Sequence, residues 1–168
     1  MNILITGAPG AGKTTLIQRV AAKIPEARGF YTEEIREGGR RKGFRLVGLP
    51  GGGERVLAHV DIQSPRRVSK YGVDVEGFEE FLGGLDLGGA TVVIVDEVGK
   101  MECFSGAFRS LIAGLLGTEE KSSHVVATIA RRGTPFIEEL KKKARATMLE
   151  VTEGNRDALV GVIMSMLE

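Results

Sequence analysis

Four residues in two short segments are the strongest candidates for chemistry. Lys13 and Thr14 stand in "GAPGAGKTT" (7–15), and Asp96 and Glu97 in "VVIVDEVGKME" (92–102). Residues 7–14 fit G-x-x-x-x-G-K-[ST], a loop whose backbone cradles phosphate. Gly7, Gly10 and Gly12 let the chain curl close to phosphate oxygens. The N–H groups from Gly10 to Thr15 can point inward at a helix N-terminus, where the helix dipole favours an anion. Lys13 then reaches the β- and γ-phosphates, and the Thr14 hydroxyl is placed to ligate Mg²⁺. Asp96 can hold Mg²⁺ through its water shell, and Glu97 can orient or deprotonate an attacking water. The plainer alternatives are a glycine turn with a solvated lysine, and two carboxylates that cap the following turn.

Local context decides between them. Asn2 to Thr6 is a run of strand formers. After Lys13, Leu16, Ile17, Val20, Ala21 and Ile24 recur at helical spacing until Pro25 stops the pattern. Strand, glycine loop and helix is the arrangement a phosphate loop requires. "ATVVIV" (90–95) is apolar on both faces and reads as a buried parallel strand. Its C-terminal end, where ligands lie in such sheets, carries Asp96.

The remaining elements place these segments. "GFYTEEIREGGRRKGFRLVGLPGGGERVLAHVDI" (29–62) lacks a helical period and has two glycine-rich turn signals, so it reads as an antiparallel meander inserted after the first helix. Asp74 caps a short helix over 74–82. Phe104, Phe108, Leu111, Ile112, Leu115 and Leu116 mark another helix. "HVVATIA" (124–130) is a second buried strand. Thr134 caps a helix that opens with Pro135 and ends in Lys141, Lys142 and Lys143. "ATMLEV" (146–151) is a strand, and 156–167 a last amphipathic helix. The class is α/β: a three-layer fold with a mostly parallel central sheet and an antiparallel meander. A single domain over 1–168 is expected.

Composition bounds the partners. Net charge is +1, so bulk charge points to no acidic polymer or membrane surface. Cys103 is the only cysteine, which excludes an internal disulfide and a cysteine metal cluster and fits a reducing cytoplasm. No signal peptide and no apolar run of ~20 residues is read. Arg40, Arg41, Lys42 and Arg45 face Glu33, Glu34 and Glu37 in the predicted hairpin, which favours cross-strand pairing over a nucleic-acid face. His59 is expected on a strand's solvent face. His124 has no ligand partner in view.

Taken together, "TGAPGAGKTT", "GFYTEEIREGGRRKGF", "VDIQSPRRVSKYGVDVE", "VDEVGKMECFS" and "EVTEGNRD" resemble the small P-loop nucleoside triphosphatases. That family includes a human cancer-related nucleoside triphosphatase and archaeal and bacterial thermophile relatives. The likeness runs through nearly the whole chain in the same order. It implies a P-loop, RecA-like fold and slow, Mg²⁺-dependent hydrolysis of ATP, GTP and other nucleoside triphosphates to diphosphate and phosphate. It places Lys13 and Thr14 at the phosphates and metal, Asp96 at the metal, and Glu97 as the catalytic carboxylate. Relatives often carry Leu where this chain has Cys103, a change that reads as packing.

The expected site follows. Catalytic roles fall to Glu97, Lys13 and Arg131; metal ligation falls to Thr14 and Asp96. Nucleotide binding is expected of Gly7, Ala8, Pro9, Gly10, Ala11, Gly12, Lys13, Thr14 and Thr15, of the strand end Val93, Ile94, Val95, Asp96, Glu97, Val98, Gly99 and Lys100, and of Asn155 and Arg156 in "TEGNRD" beside the base. Arg131 and Arg132 follow a buried strand and can meet charge on the γ-phosphate, Arg131 slightly ahead; such an arginine is worth ~10³–10⁵ in rate. Arg66, Arg67 and Lys70 form a second candidate cluster. The roles of Lys100 and Glu102 stay open. No Asn-Lys-x-Asp guanine signature is present. A monomer without membrane or nucleic-acid partner is expected. Two other functions remain open: a nucleoside or small-molecule kinase with the meander as acceptor lid, and a nucleotide-gated module that binds protein or RNA.

Overall fold

The computed structural model describes residues 1–117 and 122–168. The chain enters through β1 (Asn2–Thr6) and α1 (Lys13–Ala22). The helix ends before the predicted Ile24, because the residue preceding Pro25 disfavours helical backbone. Then come β2 (Arg28–Glu37), β3 (Arg40–Leu49), β4 (Glu54–His59), β5 (Arg67–Val68), β6 (Tyr71–Val73) and α2 (Val75–Gly83). The second half alternates: β7 (Val92–Val98), a 3₁₀ turn (Glu102–Phe104), α3 (Gly106–Leu116), β8 (His124–Ile129), α4 (Pro135–Lys143), β9 (Thr147–Glu150) and α5 (Arg156–Met166).

The nine strands among the described residues join one sheet, in the order β5-β6-β4-β3-β2-β7-β8-β1-β9. From β2 to β9 the neighbours are parallel, and from β2 to β5 they are antiparallel. The meander is therefore an extension of the central sheet rather than a separate insertion. β2 makes the join: its start pairs in parallel with Val93–Val95 on one side, and residues 29–37 pair with β3 on the other. Gly29 permits this close approach. Its φ is +120°, and a Cβ there would lie 1.9 Å from the Ile94 carbonyl oxygen. β5 and β6 escape sequence reading because two and three residues are too short to show alternation.

Alternation in the parallel strands builds two apolar layers. Leu4, Val93, Val95, Val125 and Ala127 pack with α2, α3 and α4 on one face. Ile3, Ile5, Val92, Ile94 and Val126 pack with α1 and α5 on the other. Helices thus cover both faces, in three layers. An aromatic cluster locks β2 to the first face: the Phe30 ring lies 5.9 Å from Phe78, 5.9 Å from Phe81 and 6.4 Å from Phe108. Edge-to-face pairs like these are worth about 0.5–1.5 kcal/mol each beyond their area. Phe30 stands two residues before Thr32, so this packing also fixes a site residue.

The hairpin charges pair across the strands as anticipated, with Arg41 3.3 Å from Glu34 and Arg45 3.7 Å from Glu33. His59 departs from expectation. Its side chain is 14% exposed and tucked between Glu37 and Asp61 at the strand end rather than on an open face.

Candidate active site

β8 lies between β1 and β7, so the glycine loop and Asp96 emerge one strand apart at the same edge. Gly12 precedes α1 with φ +103° and no side-chain cap. The first helical N–H groups therefore have no side-chain acceptor at the cap, and no acidic residue sits in the first turn. Both features suit an anion. The guanidinium arm of Arg156 covers Gly12: a Cβ there would lie 2.5 Å from its Cδ.

Lys13 stretches along the mouth of the loop. Its Nζ donates to the Gly7 carbonyl at 3.3 Å and lies 3.5 Å from Glu97 Oε2. The Lys13 side chain is 12% exposed. Such a charge is partly desolvated and points where an anion would arrive.

Asp96 is fully buried beneath this mouth. Three threonines hold it. Thr14 Oγ1 donates to Oδ1 at 3.3 Å, Thr128 Oγ1 to Oδ1 at 2.6 Å, and Thr32 to Oδ2 through both its N–H (3.2 Å) and its hydroxyl (3.1 Å). Burial pushes the Asp96 carboxyl up, and these donors pull it partly back. The β7–β8 ladder loses register between Val95 and Val98. Strict alternation breaks there, and consecutive carboxylates both serve one site.

Glu97 lines the cleft beside Lys13. Burial raises its proton affinity, Lys13 lowers it and Asp96 raises it further. Glu102 comes from the following 3₁₀ turn and is also buried. Its carboxyl is raised well above the ordinary range, by burial first and then by the Glu97 charge. Gly99 separates the two acids: a Cβ there would lie 2.7 Å from Glu97 Oε1 and 2.9 Å from Glu102 Oε1.

The cleft over the loop has a volume of about 1150 Å³ and is bordered by Pro9, Gly10, Gly12, Lys13, Thr14, Thr15, Gln18, Thr32, Arg131, Arg132 and Arg156. Several expected residues stand elsewhere. Val93, Ile94, Val95 and Val98 are at most 2% exposed and belong to the core; they carry Asp96 and Glu97 rather than line the cleft. Asn155 knits its own loop, accepting from the Thr152 N–H at 2.7 Å and donating to the Glu150 carbonyl at 2.9 Å, which leaves it poorly placed to read a base. Arg131 borders the cleft but lies 3.8 Å from Glu150. Arg132 has no carboxylate partner among the described residues and borders the cavity that Glu97 and Glu102 share, so the geometry favours Arg132 over Arg131. Arg67 is tied to the Ile62 and Lys70 carbonyls, and Arg66 lies over the Phe104 ring.

Thr32, Thr128 and Gln18 were not among the expected site residues. A signal existed for Thr128, the one hydroxyl inside the otherwise apolar "HVVATIA". Thr32 has none, because its meeting with Asp96 depends on β2 pairing with β7.

A glycine loop between β1 and α1, with a buried aspartate one strand removed, defines a P-loop α/β protein. The NTPase family model matches residues 2–164. The chain is 44% identical to the nucleoside-triphosphatase THEP1 of Thermotoga petrophila, over all of this chain and 93% of that protein. It is 34% identical to the human cancer-related nucleoside-triphosphatase, over 99% of this chain and 96% of that one. The crystal structure of THEP1 from Aquifex aeolicus superposes with a TM-score of 0.85 at 35% identity, covering 100% of this chain and 99% of that one. The chain belongs to the NTPase family.

Proposed function

We propose that the protein is a nucleoside-triphosphatase: it binds Mg²⁺ and a nucleoside triphosphate and hydrolyses the γ-phosphate, slowly and with little preference for the base. The observation that carries this reading is the meeting of Lys13 and Glu97 at 3.5 Å across the mouth of the phosphate loop. The names of its relatives, which are nucleoside-triphosphatases, support it.

The donor set suits Mg²⁺. Thr14 Oγ1 and Asp96 Oδ1 are hard oxygens 3.3 Å apart, and the Thr14 hydroxyl can donate to Asp96 while its lone pair faces the cleft. Among the described residues no cluster of three or more His, Cys, Asp and Glu could hold a metal. This matches a cation that keeps waters and shares phosphate oxygens. When bound, the ion would neutralise phosphate charge and polarise the γ-phosphoryl group.

The chain's own residues do the rest. The α1 N-terminus and Lys13 bind the phosphates and hold the γ-group in place. Glu97 orients a water and takes its proton, and Lys13 keeps that carboxyl available as a base. Arg132 offers a guanidinium toward the charge that develops in the transition state. The sequence carries no Asn-Lys-x-Asp guanine signature, which supports base tolerance. We read 1–168 as one domain acting as a cytoplasmic monomer; no helix among the described residues is long and apolar enough to cross a membrane. The test is phosphate release from ATP by purified protein with Mg²⁺ and no other substrate. Release that stops on chelation is expected. No release with Mg²⁺ would contradict the reading.

A further inference from the structure

A second cavity of about 560 Å³ adjoins the nucleotide cleft, with which it shares Thr14, Thr32, Phe44, Glu97, Ala130 and Arg132. Hydrolysis does not account for it. A water occupies ~30 Å³ in the liquid, whereas pockets for organic ligands span ~300–1,000 Å³. Phe44, Leu57, Val68 and Met101 wall it, and apolar walls suit an organic body better than water. Two cations, Lys100 and Arg132, border it, and neither has a carboxylate partner among the described residues. Phe44, Val68 and Met101 also border an adjoining cavity of about 430 Å³ that adds Lys70. The acids Glu97 and Glu102 also line it, and of the two Glu97 borders the nucleotide cleft as well.

We propose that this cavity is a second substrate subsite, for an alcohol with an apolar body and an anionic group, whose hydroxyl accepts the γ-phosphoryl group in place of water. The apolar walls hold the body, Lys100 meets the anion, and the hydroxyl lies beside Glu97. The new bond joins the alcohol oxygen to the γ-phosphorus. The bond from the γ-phosphorus to the β–γ bridging oxygen breaks, and the hydroxyl proton passes to the Glu97 carboxylate. Nucleoside diphosphate leaves, and a phosphate monoester remains. The antiparallel strands supply much of this cavity, through Phe44 of β3, Leu57 of β4 and Val68 of β5, which gives the extended sheet a role that hydrolysis alone leaves it without. The inference rests on the phosphate-loop and Glu97 assignments above.

The probe is a deproteinised small-molecule extract of Thermotoga petrophila, source of the 44% identical relative, mixed with γ-³²P-ATP, Mg²⁺ and the full chain. A labelled organic phosphate is expected beside inorganic phosphate. Val68→Trp narrows the cavity from a half-buried outer strand and touches neither the loop nor Asp96. It should keep phosphate release from ATP alone and lower the labelled ester about tenfold or more, the scale of a pocket misfit. Met101→Trp, at another wall residue, serves the same purpose if Val68→Trp does not fold. Label found only in inorganic phosphate overturns the subsite, as does undiminished ester in a folded, cavity-narrowed variant. Absence of any phosphate release, with or without extract, overturns the hydrolase reading and the subsite with it.

Discussion

Thr128 on β8 donates a 2.6 Å hydrogen bond to Asp96 on the neighbouring strand β7, at the edge where the phosphate loop also emerges. Thr32 secures the other carboxylate oxygen from β2. Asp96 is thereby held from both flanking strands, and Thr14 can meet it from the loop. Under the Mg²⁺ reading proposed above, such groups orient the carboxylate toward the ion.

Thr128→Val should therefore weaken the Mg²⁺ affinity of the nucleotide complex, requiring ~10–100-fold more Mg²⁺ for half-saturation, the usual range for loss of a partner that orients a metal ligand. Thr128→Ser keeps the donor and should restore most of it. Calorimetric binding of a non-hydrolysable ATP analogue across a Mg²⁺ series checks this. An unchanged midpoint in Thr128→Val would reduce the residue to packing.

Arg132→Ala should slow single-turnover hydrolysis at least ~10-fold, and up to the ~10³-fold lower bound for an arginine finger, with nearly unchanged nucleotide affinity. Arg131→Ala should stay close to the parent, since its guanidinium lies near Glu150. Rapid-quench kinetics on both variants decides between them; the opposite ranking would restore Arg131.

Much of this site could be read before folding, and the reason is locality. Gly7 to Thr15 form a contiguous motif flanked by a strand period and a helix period, and Asp96 ends an apolar run. Each is decided within about ten residues. Thr32 and the choice between Arg131 and Arg132 depend on distant pairings. Thr32 meets Asp96 only because Phe30 pairs with Val95, and Arg131 meets a carboxylate only because β9 brings Glu150 near. Asn155 is bound to its own loop for a related reason: an amide in a tight loop satisfies its own backbone first. Val93 to Val95 were placed at the nucleotide because they adjoin Asp96 in sequence, yet a buried central strand turns both faces to the core.

Glu102 carries a stability consequence. Burial holds its folded-state pKa well above the ordinary value, so the folded protein keeps a proton that the unfolded chain has lost. That contribution is complete below the unfolded pKa, near the ordinary carboxylate range, and is lost as pH rises through the folded value. Glu102→Gln should therefore gain in melting temperature over the parent as pH rises from ~5 to 8. Thermal melts of both proteins across that range check it. A gap that stays constant across that range would show that Glu102 is charged in the fold.

The central claim is that Glu97 activates the attacking water while Lys13 and the loop hold the phosphates. Its most direct test is Glu97→Gln, which keeps the side chain's shape and removes its basicity. Nucleotide affinity with Mg²⁺ and single-turnover phosphate release are measured on the same preparation. The account predicts affinity close to the parent's and release slowed at least ~10²-fold, the scale of a lost general base. Release at the parental rate, with nucleotide still bound, would contradict it.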